Sequence, residues 1–281
     1  MMRFLSRNNR GWLMLGYAII TLMSLWAIIP FYWMLLTSFK SEGEILTPTA
    51  SLLPQTFTLI HYTKTFFETG FPVFIRNSAI VALSTTLVSV LVGAMAGYAI
   101  SRLNFKGRNV VARALIYSYL VPASILFIPL FAMMVSLGLT NNLFGLSLTY
   151  LTFTVPFATW MLIGYFRTVP IELEEAALVD GATKWTVLWR IIVPLSAPAM
   201  VVVSVFSFTL SWNEFLYALV LVQKRDMMTA PVGLGSFQIA DQTFWGAMMA
   251  ASIVMSLPPL ILYLAGQRWV IAGWTAGSVK G

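Results

Sequence analysis

Acidic residues cluster in one short segment of a chain that otherwise carries little charge. Only 10% of its 281 residues are charged. The segment VPIELEEAALVDGATKWTVLWRIIVPLSAP contains, in order, Glu172, Glu174, Glu175, Asp180 and Gly181. Carboxylates so closely spaced are favourable in the first turn of a helix, at the positive end of its dipole. We call residues 167–197 the elbow.

The residues around these acids predict two short helices joined by a tight turn. Thr168 is suited to cap the first helix and Pro170 to lie in its first turn, where a missing N–H costs little. Gly181 is expected to end that helix, because glycine readily adopts the left-handed conformation found after helix ends. The second helix should span 183–192 and stop before Pro194, since proline restricts the residue that precedes it.

The composition of the elbow favours docking to another protein. Its acidic side chains would be repelled by an anionic inner leaflet, which disfavours a loop that only lies on the membrane. Ala176 and Ala177 leave little side chain in the way of a closely packed partner. An amphipathic loop at the bilayer surface is the alternative interpretation.

A second polar group interrupts a long apolar run. The stretch SWNEF comprises Ser211, Trp212, Asn213, Glu214 and Phe215. Polar side chains at membrane depth are costly and usually face a bundle interior or a wet cavity, and aromatic faces are surfaces on which sugars stack. These five residues are therefore candidate contacts for a transported solute. They fit equally well an interfacial aromatic belt with hydrogen bonds between helices.

The sequence indicates no catalytic or cofactor site. The chain has no cysteine, and its single histidine, His61, lies in a polar connection where a surface position is expected rather than a metal ligand. The stretch GATKWT, from Gly181 on, lacks the second glycine and the spacing of a phosphate-binding loop. Since no Ser/His/Asp or Cys/His set is present either, we predict a protein that is not an enzyme and binds no metal.

Most of the chain consists of apolar runs long enough to cross a bilayer. Hydrophobic residues make up 59% of it, whereas about 45–50% is typical of soluble domains. A helix needs about 20 residues to cross the hydrocarbon core. Six runs qualify: 12–36 and, approximately, 77–100, 110–135, 146–165, 198–222 and 244–264. We predict an all-α, polytopic membrane protein, a single domain over 1–281 with six spans, whose first run is too long for a cleaved signal peptide.

The basic residues predict the orientation of these spans. With the N-terminus inside, 12 of the 17 Lys and Arg residues, Arg3, Arg7 and Lys280 among them, fall in the cytoplasm and 5 fall outside. Cytoplasmic loops are enriched in these residues, so both termini and the elbow are placed inside, and 38–72 and 222–243 form outer loops. The asymmetry also explains the net charge of +7 without a nucleic-acid partner.

Several motifs resemble one family, the membrane subunits of ABC importers. Their pattern is E-A-A, three residues, G, nine residues, I, any residue, L-P; it is matched in order by Glu175, Ala176, Ala177, Gly181, Ile191 and Pro194. The one departure is Val193, which stands in place of leucine. The carbohydrate-uptake branch, specifically its maltose-type second permease, is resembled by NSAIVALSTTLVSVLVGAMAGYAISR at 77–102, SWNEFLYALVL at 211–221 and AGWTAGSVKG at 272–281.

The resemblance implies a fold, partners and site residues. The fold would be that of an ABC type I importer permease, paired with a second homologous permease subunit. The elbow would be the coupling helix that docks on an ATP-binding subunit; two such subunits, identical or different, would hold ATP and Mg, and this chain would bind no cofactor. The implied coupling residues are Glu174, Glu175, Ala176, Ala177, Asp180, Gly181 and Pro194. An extracytoplasmic sugar-binding protein would contact Gly233, Leu234 and Gly235.

The expected cargo is a sugar, carried into a bacterium or archaeon across its cytoplasmic membrane. A sugar phosphate or polyol, such as glycerol phosphate, is the alternative cargo, although the fifth run holds no basic residue to bind a phosphate. A self-powered secondary transporter is the alternative mechanism. That mechanism requires acids within the membrane and an internal repeat, and only Glu214 lies near the membrane.

Overall fold

The structure, a computed structural model, describes residues 10–47, 51–239 and 242–278. Arg3, Arg7 and Lys280 of the predicted charge distribution lie outside the described residues. So do 48–50 and 240–241 of the predicted outer loops, and the last three residues of the 272–281 motif.

Helices dominate the described residues, which confirms the predicted all-α class. In chain order they are α1 (Arg10–Thr37), α2 (Glu42–Ile45), α3 (Ile60–Phe67), α4 (Phe71–Arg102), α5 (Arg108–Leu120), α6 (Ala123–Ser136), α7 (Leu143–Phe166), α8 (Glu172–Val179), α9 (Lys184–Val187), α10 (Val193–Leu195), α11 (Ala197–Trp212), α12 (Leu216–Leu221), α13 (Ala230–Leu234) and α14 (Trp245–Ser278). A π-helical turn, Leu188–Ile192, joins α9 to α10, and 3-10 turns span Arg225–Met227 and Gly235–Phe237. Two short strands, β1 (Gln238–Ile239) and β2 (Gln242–Thr243), pair antiparallel.

Four of the described helices, α1, α4, α7 and α14, are long and apolar enough to cross a membrane. Two bent pairs are further candidates: α5 and α6 meet at 99°, and the helical path Lys184–Leu195 meets α11 at 81°. If each bent pair counts as one span, there are up to six.

Two of the predicted runs are not continuous helices. The run 110–135 is broken at Val121 and Pro122, whose ψ angles of 123° and 129° are extended, because a residue that precedes proline avoids the α conformation. The run 198–222 is broken between α11 and α12.

Proline is accommodated inside most of the long helices. It occurs within α1, α6, α7 and α14 at Pro30, Pro129, Pro156, Pro258 and Pro259. The 32-residue helix α4 differs, since its one proline, Pro72, lies in the first turn. The hydrogen-bonded ladder of α4 is therefore free of the interruption that an interior proline causes.

The chain divides into two compact units. The first comprises the described residues up to Gly70 together with Phe237–Val254, and the second comprises Phe71–Ser236 and the described residues from Met255 on. In the first unit, α1 exposes apolar side chains around its circumference, which is typical of a helix that contacts lipid.

His61, in the first unit, is buried, so the predicted surface position is wrong. Its side chain is 0% exposed, with Nε2 2.8 Å from the carbonyl oxygen of Lys40 and Nδ1 3.7 Å from a carboxylate oxygen of Glu42. Gly246 lies so close to the ring that a Cβ would not fit. These neighbours come from other elements and leave no local sequence pattern. Among the described residues, no group of three or more His, Cys, Asp or Glu side chains could hold a metal ion.

The second unit is built around the close pairing of α4 and α7. A Cβ on Gly93 would collide with Ala158, and a Cβ on Gly97 would press against Leu162. Small residues allow helix backbones to approach closely where lipid provides no hydrophobic driving force. These two helices form the platform that holds the elbow.

Candidate functional site

Gly181 ends helix α8, as predicted. Its φ of +86° is left-handed, its N–H donates to the carbonyl of Leu178 at 3.1 Å, and the N–H of Ala182 donates to that of Ala177 at 2.9 Å. This pair of bonds is a Schellman motif. Nothing lies within 4 Å of the place a Cβ of Gly181 would occupy, so the glycine is required by backbone conformation alone.

The predicted start of the first elbow helix is wrong. Helix α8 begins at Glu172, and Ile171 precedes it without a side-chain cap. The hydroxyl of Thr168 instead donates to the carbonyl of Tyr165 at 2.7 Å. Threonine can bond either forward as a cap or backward to the preceding turn, and here it closes the end of α7.

The prediction that the second elbow helix stops before Pro194 is wrong. The N–H of Val193 donates to the carbonyl of Leu188, five residues back, and the helical path continues to Leu195. In an α-helix the proline ring would clash with the carbonyl four residues earlier. The wider π turn makes room for the ring, so the chain bends at Ser196 rather than before the proline.

Glu174 points into the protein. The residue is 5% exposed, and its Oε1 lies 2.5 Å from Nε of Arg102. The Tyr98 hydroxyl donates to Oε2 at 3.3 Å. Arg102 also donates to the carbonyls of Phe166 at 2.7 Å and Val169 at 2.5 Å. The carboxylate predicted to contact a partner is therefore engaged within this chain.

The opposite side of the elbow is exposed. Its acids are Glu172, Glu175 and Asp180, and Ala176 and Pro194 are also exposed, whereas Ala177 is half-buried. Large apolar side chains lie on the same segment, with Val179 87% and Trp185 61% exposed, accompanied by Ile171, Leu173 and Leu178. An exposed apolar patch rimmed by polar groups marks an interaction surface.

Glu214 caps the helix that follows the break after Trp212. Its Oε1 accepts from the N–H of Tyr217 at 2.9 Å, and its Oε2 accepts from the N–H of Ala218 at 3.1 Å and from the Tyr150 hydroxyl at 2.7 Å. The first N–H groups of a helix lack partners within it, and lipid cannot supply them. Both carboxylate oxygens thus hold the break together.

The break faces a cavity of about 460 Å³ that also reaches the break between α5 and α6. The Tyr217 hydroxyl donates to the carbonyl of Ala123 at 2.6 Å and so joins the two interruptions. The lining residues are Tyr119, Leu120, Val121, Pro122, Ala123, Phe153, Leu210, Glu214 and Tyr217. Interrupted helices that enclose a cavity are the usual setting of solute sites in transporters.

Only Glu214 of the five residues proposed as solute contacts lines this cavity. Trp212 is 2% exposed, stacks on Phe208 with ring centroids 5.4 Å apart, and donates its indole N–H to the carbonyl of Met255 at 3.0 Å. Ser211 is buried as well. Asn213 and Phe215 are exposed, outside the lining. Trp212 therefore packs the protein interior, and its aromatic face is not available to a solute.

The aromatic residues that line the cavity were not predicted from the sequence. Tyr119, Phe153 and Tyr217 belong to α5, α7 and α12, and within each apolar helix they resemble ordinary packing residues. Tyr150, the partner of Glu214, lies 64 positions away along the chain. The one signal available in the sequence was Glu214 itself, because a carboxylate within an apolar run requires hydrogen-bond donors around it.

The residues proposed to contact a binding protein divide into a buried and an exposed part. Gly233 packs so closely on the Phe74 ring that a Cβ would not fit. Leu234 is half-buried and Gly235 is exposed. Gly233 thus fixes the segment, and the next two residues reach the surface.

The similarity of this chain to other proteins extends over the whole site. Residues 89–275, which include the elbow and Glu214, match the family described as "Binding-protein-dependent transport system inner membrane component". The chain is 37% identical to the inner membrane ABC transporter permease protein YcjP of Escherichia coli (strain K12), over 99% of this chain and 100% of that protein. It is 35% identical to the trehalose/maltose transport system permease protein MalG of Thermococcus litoralis (strain ATCC 51850 / DSM 5473 / JCM 8560 / NS-C), over 92% of this chain and 94% of that protein.

The fold also matches a solved structure, that of a bacterial ABC transporter involved in the import of the acidic polysaccharide alginate. The TM-score is 0.81 at 22% identity, over 96% of this chain and 100% of that chain. The fold is accordingly that of an ABC importer permease. From the match over 89–275 and the two relatives, the chain belongs to the family of binding-protein-dependent transport system inner membrane components.

Proposed function

We propose that the chain is the membrane-spanning permease subunit of an ATP-binding-cassette sugar importer, in which it forms half of the translocation pathway. The observation that carries this proposal is the two-sided elbow. Glu174 anchors one side to Arg102, while Glu175 and Val179 face outward on the other. Such a segment can receive a displacement on one side and pass it to the membrane helices through the other.

The outward side of the elbow is proposed to dock on a separate ATP-binding subunit, present as two identical or different copies. Glu172 and Glu175 would supply charged contacts, and Val179 and Trp185 would enter an apolar groove. ATP and Mg would be held by that subunit. Glu174 is not included among the residues proposed to dock on that subunit, because its carboxylate is paired inside the chain.

Nucleotide binding is proposed to switch the permease between two conformations. Closure of the ATP-binding pair would displace the elbow, and a loaded binding protein would favour the same state from the other side of the membrane. Two ligands that prefer one state shift one equilibrium together.

The cavity beside Glu214 is proposed to form this chain's part of the pathway, with a second homologous permease subunit completing it. Tyr119 and Phe153 offer aromatic faces, and the lining contains a carboxylate but no Lys or Arg. A phosphate would be repelled there, so a neutral sugar is the favoured cargo. The name of the trehalose/maltose relative agrees with that choice.

Leu234 and Gly235 are proposed to meet an extracytoplasmic sugar-binding protein. The family description, which names binding-protein-dependent transport, supports a partner of this kind. The elbow would then lie on the cytoplasmic side of a bacterial or archaeal inner membrane.

Cysteine labelling tests this orientation, because the chain has no cysteine of its own. Lys106→Cys and Gln223→Cys each place one thiol at an exposed position outside the proposed docking surfaces. A membrane-impermeant maleimide should label Gln223→Cys in intact cells. It should label Lys106→Cys, four residues after the Arg102 that pairs with the elbow, only after permeabilisation. The reverse pattern would place the elbow outside and overturn the proposal.

Purification of the tagged chain from its native membranes tests the assembly. A second permease and an ATP-binding subunit should copurify, and sugar-loaded binding protein should stimulate ATP hydrolysis by the complex. Trehalose, maltose and glycerol phosphate are the first cargoes to compare. Ion-driven sugar uptake by vesicles that contain this chain alone would instead establish a secondary transporter.

A further inference from the structure

We propose that helix α4 is the mechanical link between the elbow and the segment 225–234, which we call the outer segment. This inference rests on the proposed function and extends it, because it names the element through which the two sides of the membrane are coupled. Side chains at both ends of helix α4 form hydrogen bonds with main-chain atoms of neighbouring segments.

At the elbow end, α4 holds both α8 and the chain that leads into it. Arg102, its last residue, pairs with Glu174 and donates to the carbonyls of Phe166 and Val169. Tyr98, one turn earlier, donates to Glu174 as well. Since two of these acceptors are backbone carbonyls, Arg102 is attached to the main chain that leads into α8 and not merely to the Glu174 side chain.

At the opposite end, α4 holds the outer segment in the same manner. Asn77 donates from Nδ2 to the carbonyls of Asp226 at 2.8 Å and Met228 at 2.9 Å, and the hydroxyl of Ser78 accepts from the N–H of Ala230 at 2.8 Å. Asn77 and Ser78 are both buried. The Phe74 ring also fills the space beside Gly233. The outer segment is thus fixed to α4 through its own main chain.

The two attachments are far enough apart to lie on opposite sides of a bilayer. Asn77 and Arg102 are 25 positions apart in one helix, which corresponds to about 37 Å at 1.5 Å per residue. The hydrocarbon core is about 30 Å thick. One uninterrupted element therefore spans the membrane between them.

Helix α4 is also suited to transmit a displacement without bending. It has no proline beyond its first turn, unlike α1, α7 and α14. The route along the chain from the elbow is interrupted, because it bends by 81° before α11 and breaks again before α12. Sharp helix bends occur at proline and at breaks in the hydrogen-bond ladder, so α4 is the stiff path.

The test is hydrogen–deuterium exchange on the purified complex, with and without a non-hydrolysable ATP analogue. In the wild-type complex the analogue should change exchange in 172–182 and in 225–234. In Arg102→Met the change at the elbow should persist and the change at the outer segment should be lost. Arg108→Met is the matched control, because Arg108 lies near the same end of α4 and its guanidinium donates to Leu103 and Asn104, which lie outside the elbow.

Asn77→Asp tests the other attachment and serves if Arg102→Met does not assemble. It keeps the size of the side chain but removes the donor to both carbonyls, and it too should abolish the remote response while the elbow still responds. A response of the outer segment that survives Asn77→Asp overturns the role of α4. So does a wild-type complex in which only the elbow responds. If the elbow itself does not respond in the wild type, the proposed coupling function fails instead.

Discussion

The elbow and the break after Trp212 both interrupt a helical backbone, but they satisfy the open hydrogen bonds differently. At the elbow, backbone atoms of Gly181 and Ala182 close the turn. At the break, the side chain of Glu214 accepts from two backbone N–H groups and one hydroxyl. The exposed turn is closed by its own backbone, whereas the break inside an apolar run depends on the side chain of Glu214 to accept its open N–H groups.

This difference determines which side chains remain available for function. The elbow can present Glu175 and Val179 to a partner, because neither is needed to close its turn. Glu214 already accepts three hydrogen bonds within the chain, one on Oε1 and two on Oε2, so only about one of its four acceptor positions is left for a solute. An acidic residue in an apolar sequence can therefore serve either of two roles: it can be free to contact a partner, as Glu175 is, or it can complete the backbone hydrogen bonding, as Glu214 does.

The largest effect is expected for Glu214→Ala. The substitution leaves three donors near the membrane interior without an acceptor, and each unsatisfied group costs about 1–3 kcal/mol. The folded yield and the midpoint of thermal unfolding should both fall sharply, with Glu214→Gln intermediate. Glu175→Ala is the matched control and should leave the midpoint unchanged; equal losses for both acids would abolish the distinction between the two regions.

Gly181→Asp should have a smaller effect on folding and a large one on coupling. The left-handed conformation costs about 1–2 kcal/mol for most residues and less for aspartate, whose short polar side chain tolerates it, and space is not limiting at this position. The protein should reach the membrane, but sugar-stimulated ATP hydrolysis by the reconstituted complex should be lost. Gly164→Ala, equally unobstructed in α7, should be harmless. Wild-type stimulation in Gly181→Asp would refute the role of the turn.

Trp212→Phe separates packing from solute contact at the break. Loss of the indole N–H donor to Met255 should cost about 1 kcal/mol and lower the unfolding midpoint slightly. The sugar concentration that gives half-maximal ATP hydrolysis should not change, since the ring is buried. Phe153→Leu, which alters the cavity lining, should raise that concentration. The opposite assignment of the two effects would return Trp212 to the pathway.

The smallest effect concerns Glu44, whose carboxylate closes a loop in water much as Glu214 closes the break in the membrane. The hydroxyl of Ser51 donates to it at 2.5 Å and the N–H of Gln55 at 3.1 Å. The hydrogen bond from Ser51 holds the pKa of Glu44 below its ordinary value of 4.5. A lowered folded-state pKa means that the stabilisation is present above 4.5 and disappears as the pH falls through the lowered value.

Thermal unfolding of wild type and Glu44→Gln between pH 7 and pH 3 measures this contribution. A small difference should be present at neutral pH and vanish at the acidic end. A difference as large as that of Glu214→Ala would show that the surroundings, water or lipid, do not decide the importance of a capping carboxylate.

The sequence predicted the elbow well where one residue decides the conformation. Gly181 follows a short acidic helix, and glycine in that place has one common explanation. The helix limits were harder to predict. The Thr168 hydroxyl can form a hydrogen bond either forward or backward along the chain, and no sequence pattern near Pro194 predicts a π turn. Glu174 and Glu175 are adjacent and chemically alike, and only the position of Arg102 on another helix distinguishes the buried acid from the exposed one.

The polar residues beside the break were singled out from the sequence, but the break itself and its surroundings were not, since the run 198–222 was predicted to be continuous. A hydrogen-bonding residue in an apolar run signals a special position, and Glu214 fits that rule. Trp212 was left open between a solute site and a packed structural position, because an aromatic residue beside a polar one fits both equally well, and the structure places its ring in the interior. The contributions of Tyr119, Tyr150 and Phe153 depend on how three helices meet, which no local pattern records.

The π turn at Leu188–Ile192 has a consequence for changes in chain length. A π turn contains one residue more than the α turn it replaces, and each residue of an α-helix advances the facing direction by about 100°. A one-residue deletion elsewhere in a helix would rotate everything beyond it by that angle. Within 188–192 the same deletion would leave the flanking apolar surfaces aligned, but it would restore an ordinary α turn, in which the Pro194 ring meets a backbone carbonyl. The extra residue is therefore tied to the proline that follows it, in agreement with the fixed spacing of nine residues between Gly181 and Ile191 in the family pattern.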